Sequence, residues 1–196
     1  MKNKHLLATS LGMALGVVLA LAASSLGQTT TTTTPVPATE TEKSFDKLKA
    51  LAGSWEGPVS VDPPMPASMG SSDKPLHITM RVTSRGHALV HEMQEAGTPL
   101  DPALYDHPVT MLYTDGDQLL LTHYCDAGNR PRMTGRLSAD GTKVEFAFLD
   151  MAGGNDYGHM FHAVFTILDA NHHTEDWTYM MPGDKPMHAH FDLQRK

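Results

Sequence analysis

The sequence predicts an all-β fold, a closed antiparallel meander barrel of about ten strands with one short N-terminal helix. Three observations carry that expectation. Beyond residue 53 the apolar residues recur at every second position, the period of a strand with one buried face. The alternating runs are separated by turn chemistry at Asp115-Gly116, Asp140-Gly141, Gly153-Gly154-Asn155, Asn171-His172 and Pro182-Gly183,. No helical pattern follows that could cover a sheet, so the apolar face must bury against itself. A two-sheet sandwich is the alternative that periodicity leaves open.

Taken in order, residues 1–27 read as a secretory signal. Lys2 and Lys4 form a basic start, and Leu11 to Ala23 holds no polar or charged residue. That run falls short of the about 20 residues a membrane span needs. Small residues follow, in Ala20-Leu21-Ala22 and in Ser25-Leu26-Gly27. The expected product is periplasmic or extracellular, with no membrane span once the signal is removed. Residues 28–43 are Thr-rich with two prolines and too little apolar content to pack, which predicts a flexible leader. The barrel domain is expected over 44–196. Its helix is expected over Ser44 to Leu51, with Ser44 as cap, Phe45, Leu48 and Leu51 on one face and Gly53 as the stop,.

Strands are expected at 54–61, 76–83, 88–95, 108–114, 117–125, 131–138, 142–150, 159–169, 173–181 and 186–195. Residues 62–75, with Pro63, Pro64, Pro66 and Pro75, read as a long loop,. In the last strand Met187, Ala189, Phe191 and Leu193 share one face, and His188, His190, Asp192 and Gln194 the other.

Net charge is -7 without a Lys/Arg cluster, so the electrostatic footprint of a nucleic-acid binder is missing. Cys125 is the single cysteine, which excludes an intramolecular disulfide and leaves stability to the core.

The stretch Leu48-Lys49-Ala50-Leu51-Ala52-Gly53-Ser54-Trp55-Glu56-Gly57 resembles the first-strand signature of the calycin barrels, the group of lipocalins, fatty-acid-binding proteins and nitrobindin-like haem barrels. The resemblance implies that Trp55 closes one end of the barrel and that Arg195, near the end of the last strand, stacks on it. Leu119-Leu120-Leu121-Thr122-His123-Tyr124-Cys125 with Gly128-Asn129-Arg130-Pro131-Arg132-Met133 looks like exported bacterial lipocalin-like domains of unknown function, of the DUF1579 type. The nitrobindin-like resemblance further implies haem held by a histidine close to the C-terminus, where His188 and His190 stand.

Candidate ligand-binding residues are His123, Tyr124, Cys125, Arg132, His91 and Trp177. His123-Tyr124-Cys125 ends an apolar strand in polar groups, at the mouth or floor of a barrel. Arg132 on the next strand offers a bidentate fork for an anion or carbonyl, and Tyr and His a donor each. An internal polar network that satisfies only itself is the competing reading. His188 and His190, two apart on a strand, are the candidate metal pair, with Glu175 or Asp176 as third ligand. The alternation of that strand turns both outward. His159 and His162, three apart, fall on opposite faces and do not chelate together. Cys125 beside His123 lacks an oxyanion hole and an orienting group, so no catalytic residue is assigned.

These observations together predict an exported small-molecule-binding barrel, a non-enzymatic carrier or sensor of an apolar or weakly acidic ligand. The alternatives are a haem- or metal-binding barrel using a C-terminal histidine, and an envelope interaction module without a small ligand.

Overall fold

The computed structural model describes residues 37–64 and 74–196. Residues 1–27, expected as an export signal, and most of the expected leader fall outside those residues, as does most of the proline-rich loop. The described chain forms one α-helix, α1 (Glu40–Lys49), a single 3-10 turn at Ser84–Gly86, and eleven strands. The strands are β1 (Gly53–Gly57), β2 (Val59–Asp62), β3 (Leu76–Thr83), β4 (Ala88–Glu95), β5 (Val109–Asp115) and β6 (Gln118–Tyr124), then β7 (Arg130–Leu137), β8 (Lys143–Ala152), β9 (His159–Ile167), β10 (His172–Met181) and β11 (Lys185–Arg195).

Helix α1 begins earlier than Ser44. Thr39 caps it by accepting from the Glu42 N–H, and the Glu42 carboxylate accepts from the Thr39 N–H in return. That reciprocal pair satisfies two orphan donors of the first turn. Glu40 and Glu42 stand in the first turn and Lys47 and Lys49 in the last, each favourable to the helix dipole. Ser44 is thus an interior residue, its hydroxyl donating to the Glu40 carbonyl at 2.6 Å. Phe45 and Leu48 are buried, which contributes about 1.5–3 kcal/mol each.

All the strands pair antiparallel, in the order β1-β3-β4-β5-β6-β7-β8-β9-β10-β11, and β1 pairs back onto β11 to close a ten-strand barrel. Strand β2 is an extra strand on β11, with Val59 opposite Phe191 and Asp62 opposite His188. The single strand expected over 54–61 is therefore two, broken at Pro58, which has no N–H to give a ladder. Gly57 makes the break possible: a Cβ there would fall 1.7 Å from the Asp192 carbonyl oxygen.

One end of the barrel is closed. Helix α1 packs on β5, β6, β7 and β8, and the Thr41 hydroxyl donates to the Asp117 carbonyl at the β5–β6 turn. Trp55 is fully buried, its indole N–H donating to the Leu51 carbonyl at 2.8 Å. The Arg195 guanidinium lies 4.1 Å from the Trp55 ring centroid, a contact of about 0.5–2 kcal/mol. Arg195 also donates to the carbonyls of Ala50, Ala52 and Ala170. Gly53 lets this fork approach: its φ is +148°, and a Cβ would fall 2.3 Å from Arg195 Nη1. The connections 96–108, 125–129, 153–158 and 182–184 gather at the opposite end, where the strands stop without a covering helix.

Between the ends lies a core of inward side chains, among them Ile78, Leu89, Leu112, Leu119, Leu121, Met133, Val144, Phe146, Phe165 and Leu193. No helix among the described residues is long and apolar enough to cross a membrane.

Candidate functional site inside the barrel

Strand alternation places a polar column inside this apolar core. On β10 the spacing of two turns His173, Glu175 and Trp177 inward together, and all three are buried. On β4 the inward series includes His91, and His91, Thr110 and His123 stand side by side in register on β4, β5 and β6. His91, His173 and Glu175 have no solvent exposure at all.

Glu175 sits at the centre of this column. Its carboxylate accepts from His91 Nε2 at 3.0 and 3.2 Å, from His173 Nε2 at 3.0 Å and from the Trp177 indole at 2.8 Å. Burial pushes Glu175 up, but the charge of His91 and the hydrogen bonds of His173 and His91 outweigh it, and the carboxyl is held down to about 2. An ionised carboxylate only accepts, so both imidazoles carry a proton on Nε2. The bond to His91 joins β10 to β4, which do not neighbour each other in the sheet, and so ties two walls together through the lumen.

His123 completes the column toward the open end. Its Nδ1 bonds the Thr110 hydroxyl at 2.8 Å. Burial, then the nearby charge of His91, lowers its pKa to about 4, so the ring is neutral at neutral pH. The rings of His91 and His123 each lie 5.8 Å from Trp177. At the closed end the His173 ring meets Trp55 edge-on at 4.2 Å. Within this column three buried ring nitrogens have no hydrogen-bond partner among the described residues: His91 Nδ1, His173 Nδ1 and His123 Nε2. A buried polar atom left so costs about 1–3 kcal/mol, and one that persists asks for an explanation.

The expected ligand-binding residues divide across the wall. His91, His123 and Trp177 come together in the interior. Arg132 pairs in register with Thr122 and shares its face. It stands on the outer wall, with Nε donating to Asp150 at 2.7 Å and Nη2 closing a second bond to the same carboxylate. Tyr124 is turned outward and 43% exposed. It lines an outer-wall cleft of about 420 Å³ with Arg130, Arg132 and Asp150. Tyr124 also lines a cleft of about 500 Å³ at the open rim, with Cys125, Tyr105, Asp106 and His107. Burial raises the Cys125 thiol pKa, which makes it a poor nucleophile.

His188 and His190 also lie outside. His188 Nδ1 bonds the Thr178 hydroxyl at 3.1 Å, and His190 Nδ1 bonds Asp176 at 2.6 Å. From the outer face neither ring reaches the lumen, so this pair does not fit a haem held within the barrel. Among the described residues no group of three or more His, Cys, Asp or Glu has the geometry to hold a metal ion.

Reasoning from single motifs passes over His173 and Thr110 and weighs Glu175 only as a metal ligand. The signal for two of these lies in the chain: spacing two on one strand puts His173 and Glu175 on the face of Trp177. Thr110 carries no such signal.

No family model matches the sequence, and no curated protein matches it. Among solved structures the chain is similar to Rv2717c from M. tuberculosis, with a TM-score of 0.55 and 12% identity, over 78% of this chain and 97% of that one. A protein of unknown function from the DUF3598 family of Nostoc punctiforme aligns at a TM-score of 0.39 and 8% identity, over 76% of this chain and 48% of that one. The likeness to Rv2717c is one of fold.

Proposed function

We propose that this barrel binds a small molecule in its interior, above Glu175 and against Trp177, as an exported non-enzymatic carrier or sensor. The observation that carries this reading is the pair of unpartnered buried nitrogens, His91 Nδ1 and His123 Nε2, beside one indole ring. A ligand that satisfies them recovers the cost of leaving them bare. Its apolar part has suitable neighbours in Met80, Met93 and Met133, whose unbranched chains re-pack at low cost around different shapes. Entry would be at the end that α1, Trp55 and Arg195 leave uncovered, where Tyr105, His107 and Cys125 line a cleft at the rim. Export rests on the basic start and apolar run of residues 1–27.

Native mass spectrometry of the protein purified from its own envelope tests the reading. The expected result is a bound small molecule that leaves on unfolding and is lost from a His123→Leu variant. A protein that carries no added mass, and whose tryptophan fluorescence answers to no member of a broad lipid and metabolite panel, overturns it.

A further inference from the structure

We infer that the ligand presents to the barrel an uncharged group that both donates and accepts hydrogen bonds, a hydroxyl or a carboxamide, and that carboxylates are rejected. This deepens the proposed interior site and rests on it.

The first ground is charge. No lysine or arginine among the described residues is buried. The one full negative charge inside, Glu175, is held by three donors. A carboxylate entering this space would lose its water, find no lysine or arginine, and have to compete with Glu175 for the charge of His91, which Glu175 already binds; burying a charge so poorly paired is among the costliest steps a protein can take. The arginines stand elsewhere. Both nitrogens of the Arg132 fork are engaged by Asp150 on the outer wall, and Arg195 is spent on carbonyls at the closed end.

The second ground is protonation. His91 gives its Nε2 proton to Glu175, so its Nδ1 is a bare acceptor when the ring is neutral and a donor when the ring is charged. His123 offers a donor or an acceptor at Nε2, according to which way the hydrogen bond with Thr110 runs. A carboxamide, with two N–H donors and a carbonyl acceptor, meets every one of these combinations; a hydroxyl, with a single proton, meets all but the one in which both nitrogens are bare acceptors. A carboxylate serves only donors. The neutral His123, lowered by burial, brings no charge that would attract an anion.

A matched set of saturated ligands of one chain length decides it: alcohol, primary amide and carboxylic acid, titrated by tryptophan fluorescence and by calorimetry on the full barrel. At neutral pH the alcohol and amide are expected to bind at least about tenfold more tightly than the acid. The acid's affinity should climb as pH falls from about 7.5 to about 5.5, because only its protonated form enters, while the amide's stays level over that range. His123→Gln, which keeps a donor and an acceptor, should hold the ranking, and His123→Leu should narrow the lead of the alcohol and amide while Glu175 still keeps the acid last. An acid that binds as tightly as the amide at neutral pH overturns this inference and leaves the proposed binding function standing. If all three ligands and the broader panel fail to bind, the binding function itself falls. The wild-type titrations settle the ranking even if His123→Leu does not fold.

Discussion

Glu175 and Asp176 are neighbours in the chain and stand on opposite sides of β10. Each meets histidine. Asp176 faces outward and bonds His190 at 2.6 Å, with both side chains about half exposed. Glu175 faces inward and bonds His91 and His173 at 3.0 Å, with all three sealed from water. The outer bond is the shorter, yet the inner one matters more to the fold. Outside, water and salt serve either partner once the pair is broken, so it contributes about 0–1 kcal/mol. Inside, nothing replaces a lost partner, and the cost of separation is the cost of a bare buried charge. Length of contact is therefore a poor guide to its worth, and the side of the wall is a good one.

The largest break in that contrast comes from truncating each carboxylate in turn. Glu175→Ala is expected to cost about 3–5 kcal/mol, because His91, His173 and Trp177 are all left pointing at an empty place. Asp176→Ala should cost about 1 kcal/mol or less. Urea denaturation of both variants at neutral pH reads the difference directly. Equal losses would mean that solvent reaches Glu175 and that the column is not sealed.

A pH series sharpens the same division. In the unfolded chain His123 takes up a proton as pH falls through 6.5; in the folded barrel burial delays this to about 4. The unfolded state thus binds the extra proton across that window, and stability falls with pH by up to about 3 kcal/mol, then levels off for this group. Glu175 adds a second, lower window. Its folded pKa is depressed to about 2 from 4.5, so its contribution is complete above 4.5 and drains away below. His123→Gln should flatten the upper slope, leaving the share of His159, whose pKa burial also lowers, and spare the lower one, as measured by urea midpoints from about pH 7.5 to 3. A wild-type curve that is level between 6.5 and 4 would show that water already reaches the His123 ring.

The barrel was largely legible because alternation and turn residues report on each strand locally. Asp115-Gly116 and Asp140-Gly141 fall at hairpin turns, and strands such as 76–83 and 88–95 keep the expected bounds. Where local reading failed, the deciding feature was a contact. Thr39 and Glu42 extend α1 back beyond Ser44 by a reciprocal cap, and Pro58 divides a strand whose alternation continues through it. The site was less legible for a related reason. Facing is readable from spacing, so His173, Glu175 and Trp177 could be assigned to one side of a strand. Distance across the lumen is not, and it is β4 coming opposite β10 that makes Glu175 and His91 a pair. Arg132 shows how narrow the margin is. Its register partner is Thr122, the residue beside His123, and a shift of one residue in a strand exchanges inside for outside.

Arg132 therefore offers the smallest effect and a demanding test. It lies on the outer face of β7 with its guanidinium on Asp150, a carboxylate that is itself half exposed. The pair raises the Arg132 pKa and lowers that of Asp150, yet both side chains stay in water, where screening removes most of such an interaction. Arg132→Ala should leave the urea midpoint close to wild type, with any remaining difference closing as salt is raised. It should also leave the alcohol and amide titrations unchanged, because the barrel wall separates this fork from His123. A variant that loses ligand affinity while keeping its stability would place the bound molecule on the outer wall, in the cleft that Arg132 shares with Tyr124. The unpartnered nitrogens of His91 and His123 would then belong to a structural network closed on itself.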